Sequence, residues 1–191
     1  LGHDVHVPPI SQALSWGAAY DGPLDVIDAS QGTSGATPPR DGVRMAVGSE
    51  QYGPRWGAMS LREAIATDLG ELYGTTSVTP SEIMVTAGCN EAFCAVTRAL
   101  VAPGESVVLL SPFYFNHDMW LRLNGITPVY LEVSKDGDVD SLALSVAAQP
   151  AAAICAVSPG NPTGVELSRA AMGKIAAACR RFGIPFILDE T

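Results

Sequence analysis

Lysine is scarce in this chain of 191 residues, which contains two lysines, Lys135 and Lys174. Lysine and arginine together number 11 against 20 aspartates and glutamates, and the formal net charge is −9. Nucleic acids and anionic membrane surfaces attract clustered basic side chains. The arginines are scattered apart from the pair Arg180-Arg181. We therefore expect neither a nucleic acid nor a membrane as a partner.

Signals for metals, secretion and nucleotides are also missing. The four cysteines form no Cys-x-x-Cys pair and do not group with the three histidines, so we predict no metal site and reduced thiols, as in a cytoplasmic protein. No apolar run approaches the roughly 20 residues of a membrane span, and the N-terminus has no secretory signal. The absence of Gly-x-Gly-x-x-Gly and of a P-loop removes the main support for a nucleotide site.

A regular alternation of short apolar runs and helical patterns is present from residue 83 onward. Strands are predicted over 83–86, 106–110, 127–133, 152–157 and 185–188. The helices between them are predicted over 90–101, 116–123 and 142–148, and from a cap at Ser168 to about 182. Such βαβ units predict an α/β fold with a mostly parallel sheet and helices on both faces.

The first part of the chain has a different character. Residues 1–55 are rich in glycine and proline, with one strand-like piece over 24–28, and we predict an N-terminal arm that packs on the body or on a partner. Residues 56–191 then form the first part of the main domain. Its first helix is predicted to begin at the capping box Ser60-Leu61-Arg62-Glu63 and to end at Gly74.

Polar residues follow the predicted strands, at the edge of the sheet where ligands of α/β proteins bind. Gly88 opens a strand-to-helix turn whose N–H groups suit a phosphate. Asn161 and Asp189 follow two neighbouring strands, and a carboxylate at the end of an apolar strand is costly unless a cation pairs with it. An amide and a carboxylate in this arrangement suit pyridoxal 5'-phosphate (PLP), whose ring offers an oxygen and a protonated nitrogen.

The order and spacing of the motifs resemble the first half of a class I/II PLP-dependent aminotransferase of fold type I, from about residue 27 to residue 191. The motifs that carry the resemblance lie at 31–32, 52–62 (YGPRWGAMSLR), 86–92, 111–114, 161–164 and 189–191. The resemblance implies a fold type I large domain after an N-terminal arm. The rest of that domain and a C-terminal small domain are expected beyond Thr191.

The resemblance implies a role for each matching residue around the phosphate and the substrate. Gly88, Cys89 and Asn90 match the phosphate-binding turn, which acts mainly through backbone N–H groups. Tyr52 matches a tyrosine that reaches the phosphate of the neighbouring subunit, which implies a homodimer with shared active sites. Gly32 matches a backbone position beside the substrate carboxylate.

The ring of the cofactor has three implied contacts. Tyr114 matches the aromatic residue that stacks on the pyridine ring, and Asn161 matches the amide that contacts the phenolic oxygen. Asp189 matches the carboxylate that pairs with the pyridinium nitrogen and keeps the ring an electron sink. By the same resemblance we expect cis peptide bonds at Ser111–Pro112 and Asn161–Pro162. His117, which follows in the same segment, is expected to be a helix-start residue.

The activity implied by the resemblance is transfer of an amino group from an amino acid to a 2-oxo acid. Neither Lys135 nor Lys174 matches the lysine that forms the Schiff base, so we assign no catalytic residue in this chain and expect that lysine beyond Thr191. Three alternatives stay open: a PLP-dependent lyase of the same fold, a PLP-binding transcriptional sensor, and a truncated, non-catalytic PLP-binding protein. The motifs serve the cofactor and leave the substrate undefined.

Overall fold

The computed structural model describes residues 8–27 and 53–191. The chain divides into two compact units, one of residues 1–30 and 89–191 and the other of residues 31–88. The predicted border between an arm and a main domain at residue 55 stays a prediction. Among the described residues, no helix combines the length and the apolar character needed to cross a bilayer.

The described residues contain six α-helices, one short 3-10 helix and four strands. In chain order they are α1 (Pro9–Ala19), α2 (Met59–Tyr73), the 3-10 helix (Pro80–Glu82), α3 (Cys89–Leu100), β1 (Ser106–Ser111), α4 (Phe115–Leu123), β2 (Thr127–Glu132), α5 (Ser141–Ala148), β3 (Ala153–Val157), α6 (Arg169–Phe182) and β4 (Phe186–Asp189). The α2 helix and the 3-10 helix belong to the second unit, and the other elements belong to the first.

The four strands form one parallel sheet in the order β2-β1-β3-β4. Alternate residues of β1 enter two cores. Val107 and Leu109 pack with α3 and α4 on one face, whereas Val108 and Leu110 pack with α5 and α6 on the other. Burial on both faces explains why the central strands β1 and β3 are continuous apolar runs in the sequence. The predicted α/β fold with helices on both faces is confirmed.

The strand order fixes where the sheet can bind a ligand. The chain moves outward from β1 to β2, and it moves in the opposite direction from β3 to β4. The connections that leave the carboxyl ends of β1 and β3 therefore diverge, and this switch point is where open α/β sheets hold ligands. The peptide bonds Ser111–Pro112 and Asn161–Pro162 near these ends are cis, as predicted, and Ser158–Pro159 is also cis.

Two predicted strands are wrong. Residues 83–86 form an extended segment whose Val85 N–H donates to Trp56 O at 3.1 Å, and no ladder continues from this bond within the described residues. Residues 24–27 are irregular, and residue 28 lies outside the described part. An apolar pattern indicates that a segment has a local preference for the extended conformation. A strand also needs a neighbouring segment that pairs with it, and the pattern does not identify that segment.

One helix was not predicted, and the cap of another is wrong, although that helix itself and its end at Gly74 are as predicted. Residues 9–19, predicted to be irregular, form α1, with Pro9 in the first turn, where a missing N–H costs nothing. The α2 helix begins at Met59 after Ala58, without a side-chain cap. Ser60 is therefore already inside the helix, and the predicted capping box does not form.

Candidate cofactor site

Asp189 ends β4, and its carboxylate is almost fully buried at the edge of the sheet. Its Oδ1 accepts hydrogen bonds from the Thr191 N–H at 3.0 Å and from the Cys89 thiol at 3.3 Å. Its Oδ2 lies 3.2 Å from Nε2 of His117. Burial would raise the pKa of Asp189, but the bonds from Thr191 and Cys89 and the nearby imidazole together lower it below its ordinary value. Asp189 is therefore an ionised carboxylate in a buried position.

His117 lies in the first turn of α4 and is 1% exposed. Burial lowers the pKa of His117 in spite of the neighbouring Asp189, so the imidazole is neutral at neutral pH. A neutral ring donates from one nitrogen and accepts at the other. The geometry assigns the Nε2 proton to Asp189, because Nδ1 lies 3.7 Å from the thiol of Cys155.

The ring of His117 is held on both sides by aromatic side chains. It stacks on Phe93 of α3 with ring centroids 4.0 Å apart and meets the edge of Tyr114 at 5.4 Å. Behind it, burial raises the pKa of Cys155 to about 12, with Asp189 and Cys89 adding to the shift. The Cys155 thiol thus stays protonated and acts as a donor. The imidazole that contacts Asp189 is fixed in both position and tautomer.

The phosphate turn predicted at 88–90 coincides with the start of α3. Gly88 has φ +87°, a conformation that favours glycine. Cys89 and Asn90 are the first two residues of α3 and are exposed. The first N–H groups of a helix have no partner within the helix and carry partial positive charge, which suits an anion.

Tyr114 precedes α4, and its hydroxyl accepts a hydrogen bond from the Asn116 amide at 2.9 Å. The same amide nitrogen lies 3.4 Å from Oδ1 of Asn90. Asn116 therefore joins the residue predicted to stack on the pyridine ring to the residue predicted to serve the phosphate. This link could not be predicted from the sequence, because Asn116 belongs to no motif of its own.

Asn161 lies on an exposed loop after β3. The loop is closed by hydrogen bonds from Gly160 N–H to Val165 O at 2.8 Å and from Gly164 N–H to Gly160 O at 2.6 Å. The Asn161 loop begins beside Asp189, because the strands β3 and β4 are adjacent. Val157 pairs with Asp189, and the Ser158 N–H donates to Asp189 O at 2.9 Å.

The structure brings one set of predicted site residues into contact and leaves others apart. Cys89 contacts Asp189, and Tyr114 is linked through Asn116 to Asn90. The Asn161 side chain makes no hydrogen bond with residues in the described part of the chain. Gly32 and Tyr52 lie outside the described residues. His117, predicted to be only a helix-start residue, is the side chain that orients Asp189.

The carboxyl edge of the parallel sheet thus carries a buried carboxylate beside the N-terminus of a helix, and this is the edge at which α/β proteins bind ligands. Residues 23–191 match the family model described as "Aminotransferase class I and II". The chain belongs to the class I and II aminotransferase family, whose members depend on PLP in general.

Individual relatives agree with this assignment. An aromatic aminotransferase from Arabidopsis thaliana is 33% identical over 146 residues, which are 73% of this chain and 36% of the relative. A probable N-succinyldiaminopimelate aminotransferase from Mycobacterium tuberculosis is 32% identical over 175 residues, 89% of this chain and 41% of the relative. The chain thus spans less than half the length of these relatives.

Solved structures share the fold. The N-succinyldiaminopimelate aminotransferase of Mycobacterium tuberculosis has a TM-score of 0.68 and 34% identity over 74% of this chain and 38% of that structure. An aspartate aminotransferase from Thermus thermophilus, solved with maleate, also has a TM-score of 0.68, with 29% identity over 73% of this chain and 37% of that structure. The fold type I architecture expected from the sequence is confirmed.

Proposed function

We propose that the protein is a PLP-dependent aminotransferase that moves an amino group from an amino acid to a 2-oxo acid. The observation that carries the proposal is the environment of Asp189. The carboxylate is ionised and buried, and its neighbour His117 is neutral, so no cation pairs with it among the described residues. A buried charge without a counterion is costly, and a protonated pyridine nitrogen would supply the missing cation.

The described residues fit PLP at its other groups as well. The start of α3 at Cys89 and Asn90 offers N–H groups for the phosphate, and the Tyr114 ring adjoins the same region through Asn116. The exposed amide of Asn161 is available for the phenolic oxygen. When bound, PLP supplies an electron sink for the α carbon of the amino acid.

The chain's own residues hold and orient this group. Asp189 would keep a proton on the ring nitrogen, and His117 would keep Asp189 in place by donating from Nε2. Tyr114 would cover one face of the ring. Lys174 is held by Asp138, and Lys135 lies in an exposed turn, so we infer that neither lysine bonds covalently to the cofactor.

The proposal extends to the assembly and the compartment. We propose a homodimer with shared active sites, in which Tyr52 reaches the phosphate of the neighbouring subunit and Gly32 lies beside the substrate carboxylate. We also propose a cytoplasmic location, since all four cysteines are free and free thiols are typical of reducing compartments. Amino acids and 2-oxo acids are the proposed substrates.

The test is reduction of the protein, purified from its native source, with borohydride, followed by peptide mass analysis. A phosphopyridoxyl group on a lysine other than Lys135 and Lys174 supports the proposal, and a protein without any adduct contradicts it. Asp189→Asn should weaken PLP binding strongly, whereas Glu190→Gln, which neutralises the adjacent exposed carboxylate, should leave it unchanged. An amino acid screen then separates the alternatives, because a lyase releases a thiol or ammonia and a transaminase forms a new amino acid.

A further inference from the structure

Lys174 of α6 is tied to a tight turn that follows β2. Its ammonium group donates to Oδ2 and Oδ1 of Asp138 at 2.8 and 3.0 Å and to the backbone oxygen of Val139 at 2.9 Å. An ammonium group has three donors, and all three are used. The side chains of Lys174 and Asp138 are 34% and 43% exposed, so the ion pair lies at the surface, and its contacts fix where the turn sits on α6.

The turn, residues 134–138, is tightly closed. The Ser134 N–H donates to Asp138 O at 2.7 Å, and the Gly137 N–H donates to Ser134 O at 3.0 Å. At its base, Val133 and Val139 form an antiparallel bridge. A turn with this many internal bonds moves as one piece, so a displacement of Asp138 also displaces Gly137.

Gly137 is the point where the turn meets the segment that follows Asn161. The Ser168 N–H donates to Gly137 O at 2.8 Å. A Cβ at Gly137 would overlap the carbonyl oxygen of Glu166, and the residue has φ +71°. The backbone approaches too closely for any side chain at this position, which is itself buried. The turn therefore directly supports residues 166–168.

Residues 165–167 in turn close the loop that carries Asn161. The Gly160 N–H donates to Val165 O at 2.8 Å, and the Leu167 N–H donates to the Ser158 hydroxyl at 3.0 Å. Asn161 has no side-chain partner among the described residues, so its position depends on this backbone closure. A continuous series of contacts thus runs from Lys174 through the 134–138 turn to Asn161.

We propose that Lys174 and Asp138 are positioning residues for Asn161, which they hold in place against the cofactor through the 134–138 turn. The inference rests on the proposed function, in which Asn161 contacts the phenolic oxygen of PLP. Neither residue is proposed to touch the cofactor. Their effect on PLP should therefore disappear when the Asn161 amide is removed.

The test compares Lys174→Met and Asp138→Asn with the control Lys135→Met in the full-length protein. The control removes a lysine from the same turn, and Lys135 makes no hydrogen bond or ion pair within the described residues. The first readout, without PLP, is hydrogen exchange of the amides of Gly160, Gly164 and Leu167. We expect it to be about two- to five-fold faster in Lys174→Met and Asp138→Asn, as for loss of an exposed ion pair, and unchanged in the control.

The second readout is the dissociation constant of PLP. We expect an increase of about two- to five-fold for Lys174→Met and none when the same substitution is added to Asn161→Ala. Gly137→Ala, which strains the turn without removing a charge, should weaken PLP binding by about tenfold or more, and again only when Asn161 is present.

Unchanged loop exchange in Lys174→Met would overturn the inference, and so would an equal loss of PLP affinity in the Asn161→Ala background. Faster loop exchange in a protein that binds no PLP would overturn the proposed function and the cofactor role of Asn161, while the mechanical link from Lys174 to the loop would stand. The two proposals therefore fail in distinguishable ways.

Discussion

Replacement of His117 by phenylalanine tests whether a neutral imidazole supports the carboxylate of Asp189. Phenylalanine can keep the stacking on Phe93, whose ring lies 4.0 Å from that of His117. It cannot donate a hydrogen bond to Oδ2 of Asp189, which lies 3.2 Å from Nε2 in the native protein. Both native side chains are nearly buried, so water is not expected to replace the lost donor. Hydrogen bonds to buried charged groups contribute about 1.5–3 kcal/mol, and we expect the variant to lose stability by that amount at neutral pH.

The pH dependence gives a sharper signature. The pKa of His117 is lowered from its ordinary value of 6.5 mainly by burial. Below pH 6.5 the unfolded chain therefore binds a proton at this residue before the folded chain does. Stability should fall as the pH decreases from 6.5 to the folded pKa, by about 1.4 kcal/mol for each unit of lowering. The pKa of Asp189 is also lower in the folded protein than its ordinary value of 3.8. The stability that its ionised carboxylate contributes is therefore lost only below that pH, outside the range in which His117 titrates in the unfolded chain.

The assay is urea unfolding of the native protein and of His117→Phe at several pH values between about 5 and 8. We expect the native protein to lose stability toward the acid end and the variant to be less stable at neutral pH but to have a shallower slope. Any contribution from the other two histidines is common to both proteins and cancels in the difference. Parallel slopes would refute the reasoning, because they would mean that His117 does not titrate below its ordinary pKa.

Three further substitutions or reactions test other parts of the structure. Cys155 is buried, and its pKa is raised to about 12, so it should react with an aromatic disulfide reagent only on unfolding. Cys89 is exposed and should react in the folded protein. Fast labelling of both thiols would contradict the burial of Cys155 behind His117. Gly57 has φ +91°, and an added Cβ would lie 2.6 Å from a methyl group of Val85, so Gly57→Ala should lower the free energy of unfolding by about 1–3 kcal/mol, and an unchanged thermal midpoint would disprove this. Tyr114→Phe keeps the ring but removes the hydroxyl that accepts a hydrogen bond from the side-chain amide of Asn116. The affinity for PLP, measured by equilibrium dialysis, should therefore fall by about two- to tenfold. An unaltered affinity would show that this bond does not position the ring.

Sequence patterns were sufficient for the elements whose partners lie close along the chain. The strands β1 to β4 were predicted to within one or two residues, because each is an apolar run that adjoins a helical pattern along the chain. Residues 83–86 have a similar apolar pattern, but among the described residues their backbone N–H groups bond only to Pro80 and Trp56, and no strand pairs with them. Pairing of a strand depends on a partner that local sequence does not identify. The helix α1 was missed for another reason, since Pro8-Pro9 suggested an irregular arm although proline is compatible with the first helical turn.

The site was only partly accessible to sequence reasoning. The end of β4 locates Asp189 at the carboxyl edge of the sheet, whereas Cys89 follows a predicted strand that does not form and was placed by the motif at 86–92. His117 was missed because its role depends on burial against Phe93 of the preceding helix, which spacing within α4 does not reveal. Its position in the first turn after β1, directly beside the sheet edge, was the available signal. The link from Lys174 to the Asn161 loop could not be inferred either, since it needs the close approach of Gly137 to Glu166.

The protonation states of His117 and Asp189 together explain why the pair suits a protonated heterocycle. A cationic imidazole at 3.2 Å would neutralise the carboxylate from within the protein and remove its preference for a second cation. Burial against Phe93 and Tyr114 instead keeps the imidazole neutral, so it can orient the carboxylate without cancelling its charge. The carboxylate of Asp189 therefore keeps its negative charge for a cationic group of a ligand bound at the carboxyl edge of the sheet. Acidification that protonates His117 should then weaken binding of a protonated ring at a pH where Asp189 itself is still ionised.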